Sequence, residues 1–269
     1  MHLEVGARTD VGMIRSGNED SYFADPSPPG GNDRGLFIVA DGMGGHAAGE
    51  VASEMAVQII TRELQSISDV TSADAREKVG RALVTANHAI YERTISEVDK
   101  QGMGTTASVL LISDWHYLIG QVGDSRVYLL RDGALRQLTK DHSYVQEQVD
   151  AGFLTPEQAR YHPYSNVITR CVGASDSVEP DSYIGEVKVG DLFLVASDGL
   201  TGMVDDRRLQ QLLLARTTTQ RIVEALISEA NGRGGLDNIT AIIVRVTGEA
   251  QSETTPTQGM PAAKPPAAA

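Results

Sequence analysis

The sequence predicts an α+β fold in which outer helices cover two antiparallel layers of strand. Three observations carry that prediction. Between Thr105 and Leu138, short β-rich runs follow one another too closely for helical crossovers. Two long segments before them repeat apolar residues at helical spacing, and strand and helix patterns return between Asp191 and Val246.

In chain order, Leu3 to Thr9 reads as a strand, Asp10 to Asp20 as a polar, turn-rich segment and Tyr22 to Ala24 as a short strand. Pro26 to Arg34, dense in Pro, Gly and Asp, is a loop. Leu36 to Ala40 is a strand that stops at Asp41, where glycines follow at 42, 44 and 45. Ala48 to Leu64 carries Val51, Met55, Ile59 and Ile60 at helical spacing, and Ala73 to Val98 carries Val79, Leu83, Ala86, Ile90 and Val98 on one face. Thr106 to Ile112, Tyr117 to Val122, Val127 to Leu130 and Leu135 to Leu138 are expected to form one antiparallel meander. Their breaks are Ser113-Asp114, Gly123-Asp124-Ser125 and Asp132-Gly133, the last a strong hairpin signal. Ser143 to Arg160 gives two small helices, the second opened by Thr155-Pro156-Glu157, and His162 to Gly173 is irregular, so about 142–173 reads as a flap. Asp191 to Gly199 is another apolar run ending in Asp-Gly; Asp206 to Leu214 and Gln220 to Ala230 are helical, and Ile239 to Val246 is a last strand. From Gly248 the composition turns to Gln, Ser, Thr, Pro and Ala, which makes 248–269 a disordered tail or linker and 1–247 one domain.

With 269 residues, 41% hydrophobic and 22% charged, the chain can bury one large core. A formal net charge of −13 argues against a nucleic-acid or anionic-membrane surface. The lone cysteine, Cys171, excludes an internal disulfide and a four-cysteine zinc site and fits a reducing compartment. No signal peptide is expected, and no run approaches the roughly 18 apolar residues of a membrane helix. A soluble cytoplasmic protein is the expectation.

The chemistry is expected from acids at strand ends. Asp41 and Asp198 each follow an apolar strand and precede a glycine, Asp124 sits in a strand–strand turn, Asp237 precedes a strand, and Glu19-Asp20 adjoins one. Each alone reads equally as a turn or cap residue. If they converge, a carboxylate pair about 4 Å apart costs about 4 kcal/mol at an effective dielectric near 20, so convergence demands cations. All-oxygen ligands select Mg²⁺ or Mn²⁺ over Zn²⁺. Two such ions about 3.5–4 Å apart can clamp a phosphoryl group for in-line attack. Gly42-x-Gly44-x-x-Ala47 also matches a dinucleotide-binding fingerprint. Asp41 lies against that anion cradle, however, and the acid about 20 residues on, Glu63, falls in a helical pattern.

Six segments in order resemble the metal-dependent type 2C (PPM) Ser/Thr protein phosphatases, and most closely their bacterial branch. They are Gly12-x-x-Arg15-x-x-Asn18-Glu19-Asp20, Ala40-Asp-Gly-Met-Gly-Gly-His46, Gly102-Met-Gly-Thr-Thr106, Val122-Gly-Asp-Ser-Arg126, Ala196-Ser-Asp-Gly-Leu200 and Asp237-Asn238-Ile-Thr. The resemblance spans about Leu3 to Val246 and implies an αββα sandwich of two antiparallel β-sheets flanked by helices. It implies hydrolysis of phosphoserine and phosphothreonine by metal-activated water without a phosphoenzyme, by a monomer acting on phosphorylated proteins and opposing bacterial Ser/Thr kinases. By resemblance, Asp41 bridges two Mn²⁺ or Mg²⁺ ions with the Gly42 carbonyl beside it. Glu19 ligates one ion, Asp198 and Asp237 the other, and Asp20 acts through metal-bound water. Asp124 shares a third, weaker ion with Asp198, with Ser165 as an extra ligand. Arg15 forks onto the phosphate, and Asn238 hydrogen-bonds near the phosphate or the metal waters. Met43 stands where animal members carry a histidine cast as the leaving-group acid; a thioether donates no proton, which leaves His46 or a metal-bound water for that task. Two alternatives stay open beside this reading: a phosphoprotein-binding pseudophosphatase, which loss of Asp41, Asp198 or Asp237 would have favoured, and a regulator phosphatase of an anti-sigma pathway.

Overall fold

The computed structural model describes residues 1–26, 34–44 and 48–248. Strands β1 (His2–Asp10), β2 (Asp20–Pro26) and β3 (Arg34–Met43) come first, followed by helices α1 (Ala48–Leu64) and α2 (Ala73–Ser96). Five strands follow: β4 (Gly104–Thr105), β5 (Ala107–Ser113), β6 (His116–Val122), β7 (Arg126–Arg131) and β8 (Ala134–Gln137). Helices α3 (Tyr144–Asp150) and α4 (Pro156–Arg160) precede β9 (Asp181–Glu186) and β10 (Leu192–Ala196). The chain then forms α5 (Asp198–Thr201), α6 (Asp206–Leu213), α7 (Thr219–Gly232) and β11 (Ile239–Thr247).

These strands make two antiparallel sheets. One runs β1-β11-β10-β7-β8 and the other β2-β3-β5-β6-β9, with β4 paired to β3. The runs at 36–40 and 192–196 read as continuous apolar stretches, and 107–112 and 239–244 are broken by Ser108 and Thr240 alone, because these strands are buried on both faces. Phe37, Val39, Leu110, Ile119, Phe193 and Val244 point into the seam between the sheets. Their neighbours Ile38, Val109 and Leu118 point outward against Ala52, Ile60 and Leu83 of the first two helices. On the opposite side Leu194 and Ile243 pack on Leu209, Val223 and Leu226. The result is the four-layer αββα sandwich. Among the described residues, no helix is long and apolar enough to cross a membrane.

Three expectations change. The meander between 105 and 138 is split: β5 pairs with β6 in one sheet, while β7 pairs with β8 in the other. The switch falls at Gly123-Asp124-Ser125, where Gly123 takes φ +102°, a conformation that costs glycine little, and packs its Cα against Thr106. Strand β9 was not predicted, because it is an edge strand whose residues alternate between half-buried and exposed and so show no apolar run. Finally, β3 does not end before Asp41; it continues to Met43, pairing Gly42 with Thr105 and Met43 with Gly104. A strand passing through Gly42 in an antiparallel sheet removes the βαβ setting that the dinucleotide fingerprint requires.

The second flap helix opens as its sequence suggests, with a reciprocal capping box between Thr155 and Gln158 and Pro156 in the first turn. The isolated bridge Thr105↔Val172 holds the end of the 142–173 segment against the sandwich, while Ser143↔Ile168 closes the segment on itself. The tail, His46 and most of the Pro26-to-Arg34 loop lie outside the described residues.

In the seam, Tyr117 and Phe193 from opposite sheets meet edge-to-face at 5.5 Å between ring centroids. Phe193→Ala is expected to lower unfolding free energy by about 3 kcal/mol or more in urea titration. A loss under about 1 kcal/mol would contradict the two-sheet core.

Candidate active site

A cleft of about 530 Å³ opens where the two sheets end, and Arg15, Glu19, Asp41, Gly42, Asp124, Asp198, Asp237 and Asn238 all line it. A second hollow of about 600 Å³, between the α6–α7 loop and the β10–β11 edge, gathers Glu4, Arg216 and Arg245 rather than convergent acids. The chemistry therefore belongs to the first.

Strand register makes this floor. Asp20 on β2 stands directly opposite Asp41 on β3 in the antiparallel ladder, so both carboxyls leave the same face. The Asp41 backbone is pinned on its other side: its N–H donates to Thr106 Oγ1 at 2.9 Å, and its carbonyl accepts from Thr105 Oγ1 at 2.9 Å. That pinning is the work of the Gly102-to-Thr106 segment, which sequence reading had placed without a physical role. Gly42 and Gly49 are small because backbone crosses there; a Cβ at 42 would meet Gly49 O at 2.1 Å, and one at 49 would meet Glu19 Oε2 at 2.6 Å. Glu19 thus lies against the first turn of α1, where the helix dipole favours negative charge. Asp198 opens α5 directly after β10.

The acids perturb one another. Burial raises Asp41 well above the usual carboxylate range, and the charges of Asp20, Asp198 and Asp124 add to it. A hydrogen bond between the Asp41 and Asp198 carboxyls raises the first and lowers the second. Burial and then the Asp237 charge raise Asp198 overall. Asp124 is raised by burial and by Asp198 and Asp141, against the opposing pull of Arg126. Asp20 is pushed up to about 7 by burial, although Thr240 and Ser197 donate to its Oδ2 at 2.6 and 2.8 Å. Its Oδ1 is buried without a hydrogen-bond partner.

Those observations test whether a divalent cation suits the site, and it does. The donors are hard oxygens, their charges repel, and one buried carboxylate oxygen lacks a partner. Among the described residues, no group of three or more His, Cys, Asp or Glu side chains stands close enough together to hold a metal ion as they are placed here. Arg15 instead donates to Asp237 Oδ2 at 2.7 Å.

Two parts of the site carry detail that the sequence does not show. The Asn238 amide is already committed: Nδ2 donates to Val11 O and Gly17 O at 2.9 Å each, and Oδ1 accepts from Glu19 N–H at 2.8 Å. Both amide protons thus hold the loop that carries Arg15 and Glu19. On the flap, the residue lining the cleft is Asn166, whereas its neighbour Ser165 is exposed and off the lining. Glu50 lines the cleft and was not singled out in the sequence; on the solvent side of a helical pattern its spacing carries no signal. Among the described residues no histidine lines the cleft, and Met43 does.

An αββα sandwich with an acid-floored cleft between its sheet ends is the architecture of a metal-dependent phosphatase. The protein phosphatase 2C family model matches residues 18–231. A serine/threonine phosphatase, stp, of Listeria monocytogenes is 38% identical over 245 residues, covering 91% of this chain and 95% of the relative. The crystal structure of the Mycobacterium tuberculosis serine/threonine phosphatase PstP/Ppp superposes with a TM-score of 0.83 at 38% identity, covering 92% of this chain and 100% of that one. The catalytic domain of PstP in complex with two manganese ions has a TM-score of 0.81 at 36% identity, covering 92% and 99%. The chain belongs to the protein phosphatase 2C family, and it is a phosphatase of that class.

A carboxyl whose pKa is raised on folding stabilises the folded chain at low pH, and that contribution is lost as pH rises through the folded value. Buried His142, whose pKa burial lowers, works in the opposite direction, so the comparison that isolates the floor is wild type against Asp20→Asn. In chelator, the variant is expected to gain on wild type between pH 5 and pH 8 by about 2 kcal/mol or more, measured by urea denaturation. Manganese at pH 8 should reverse the order. A stability difference that does not change with pH would contradict the repelling floor.

Proposed function

We propose that this chain hydrolyses phosphoserine and phosphothreonine in proteins, as a monomeric cytoplasmic enzyme acting on the products of Ser/Thr kinases. The observation that carries the reading is the cleft that gathers Asp41, Asp124, Asp198 and Asp237, with Asp20 buried opposite Asp41 across β2 and β3. The residues fit two Mn²⁺ or Mg²⁺ ions. Asp41, with the Gly42 carbonyl beside it, Glu19, Asp198 and Asp237 would hold them, and Asp20 would act through metal-bound water. Asp124 with Asp198 would hold a third, weaker ion. Such ions supply neutralisation of phosphoryl oxygens and a water acidic enough to attack at neutral pH.

The chain's own groups do the rest. Arg15, on the cleft lip, presents a planar fork suited to two phosphate oxygens. Its position depends on the Asn238 strap, which fixes residues 11–19 onto the β11 loop. Cys171 is off the cleft lining, and burial raises its pKa, so it stays a thiol and offers no nucleophile for a covalent route. His46, one candidate for protonating the leaving alcohol, lies outside the described residues.

Manganese-dependent cleavage of p-nitrophenyl phosphate and of a phosphothreonine peptide tests the reading. Asp41→Asn is expected to lower turnover by at least about a hundredfold while the circular dichroism melt still shows a folded chain. A folded Asp41→Asn variant with wild-type turnover would sink the bridging assignment.

A further inference from the structure

The cleft has an apolar lip on its Arg15 side that phosphate hydrolysis does not use. Val11, Met13, Ile14 and Leu236 are 38%, 65%, 67% and 57% exposed. They come from two loops, one joining β1 to β2 and the other leading into β11. The loops are tied together: Met13 N–H donates to Gly235 O at 2.8 Å, and Asn238 Nδ2 donates to Val11 O at 2.9 Å. Gly12 takes φ +81°, with its Cα packed against the Asp237 carbonyl. Gly235 lies so close beneath Met13 that a Cβ there would meet Met13 Cγ at 2.8 Å. These side chains are therefore held outward on fixed backbone. Large apolar groups grouped on an exposed surface mark a place that another molecule covers.

The lip runs without a break into the cleft. Arg15, Ser16 and Gly17 follow Ile14 and line the cleft, and Asp237 follows Leu236 and accepts the Arg15 hydrogen bond. Whatever places a phosphate beside Arg15 brings its own flanking chain over these residues. An extended peptide advances about 3.3 Å per residue, so side chains one or two positions from the phosphorylated residue reach the lip.

We propose that Val11, Met13, Ile14 and Leu236 form a specificity surface that takes up a bulky apolar side chain next to the phosphorylated residue of a protein substrate. The inference rests on the phosphoprotein reading above and goes beyond it by naming the flanking chemistry. Charge supports the choice: the chain carries −13 overall, so an acidic flank is repelled while an apolar one is not. Methionine at the centre of the lip, unbranched and polarisable, adapts to apolar side chains of different shape. That suits an enzyme with more than one substrate.

The test uses the full chain with manganese, p-nitrophenyl phosphate, and three phosphothreonine peptides identical except for Leu, Ala or Glu on both sides of the phosphothreonine. Wild type is expected to favour the Leu peptide over the Ala peptide by about tenfold in kcat/KM and to turn over the Glu peptide slowest. Ile14→Ser combined with Leu236→Ser should erase the Leu preference, mainly through KM, while p-nitrophenyl phosphate turnover stays unchanged. Ile14→Ser alone leaves the Met13–Gly235 packing untouched and should reduce the preference, with Ile14→Leu restoring it. Equal kcat/KM for Leu and Ala peptides in wild type, or a preference that survives the double substitution, overturns the lip. Wild type that is inert toward p-nitrophenyl phosphate contradicts the hydrolase reading and takes the lip down with it. Active p-nitrophenyl phosphate turnover without a flank preference contradicts the lip alone.

Discussion

Two carboxyls facing each other across a buried antiparallel pair set the terms for the rest of this molecule. Residues directly opposite in such a ladder have Cβ atoms about 4.5–5.5 Å apart, and like charges there destabilise the pairing. Asp20 and Asp41 occupy such a position, and burial strips both of solvent that would screen them. Only a proton or a cation relieves the arrangement. Two layers of apolar strand, covered by helices on both sides, are the scaffold that tolerates it. Phe37, Val39 and Phe193 fill the seam with no polar atoms of their own, so the cost concentrates at the sheet ends where the cleft opens.

The parts around that pair hold geometry more than they supply chemistry. Thr105 and Thr106 grip the Asp41 backbone from β4 and its neighbour. Asn238 spends its amide on the loop that carries Arg15 and Glu19. At the β6–β7 switch, His142 N–H donates to Gly123 O and Nδ1 accepts from Gly123 N–H. Arg126 clamps Asp141 two-handed just after Asp124, with Nε and the terminal nitrogen donating at 3.0 and 2.7 Å. Groups that would otherwise be redundant in the cleft thus fix where its acids point. Ordered support of this kind is what lets several carboxylates share one small volume without scattering.

Much of this was legible before any coordinates. The helix Ala48–Leu64 falls where its periodicity ends, because an amphipathic run preceded by glycines and followed by polar Gln65-Ser66 leaves little freedom. Asp41 and Asp198 announced themselves as acids that halt an apolar run and precede glycine. What the chain could not reveal is long-range. The facing of Asp20 and Asp41 depends on strand register, which is set by partners rather than by the residues themselves. The passage of the chain from one sheet to the other at Gly123 looked like an ordinary hairpin break, and β9 lacks an apolar run because it lies at an edge. The partners of the Asn238 amide are long-range in the same way: its two protons reach Val11 and Gly17, 227 and 221 residues away along the chain.

The central claim is that these carboxylates share divalent cations, and diffraction at the manganese absorption edge from crystals soaked in Mn²⁺ tests it most directly. Two strong anomalous peaks are expected against the Asp41 carboxylate, one also touching Glu19 and the other Asp198 and Asp237, with any weaker third peak at Asp124. Peaks elsewhere on the surface, or none at the cleft while p-nitrophenyl phosphate is still hydrolysed in solution, would contradict it.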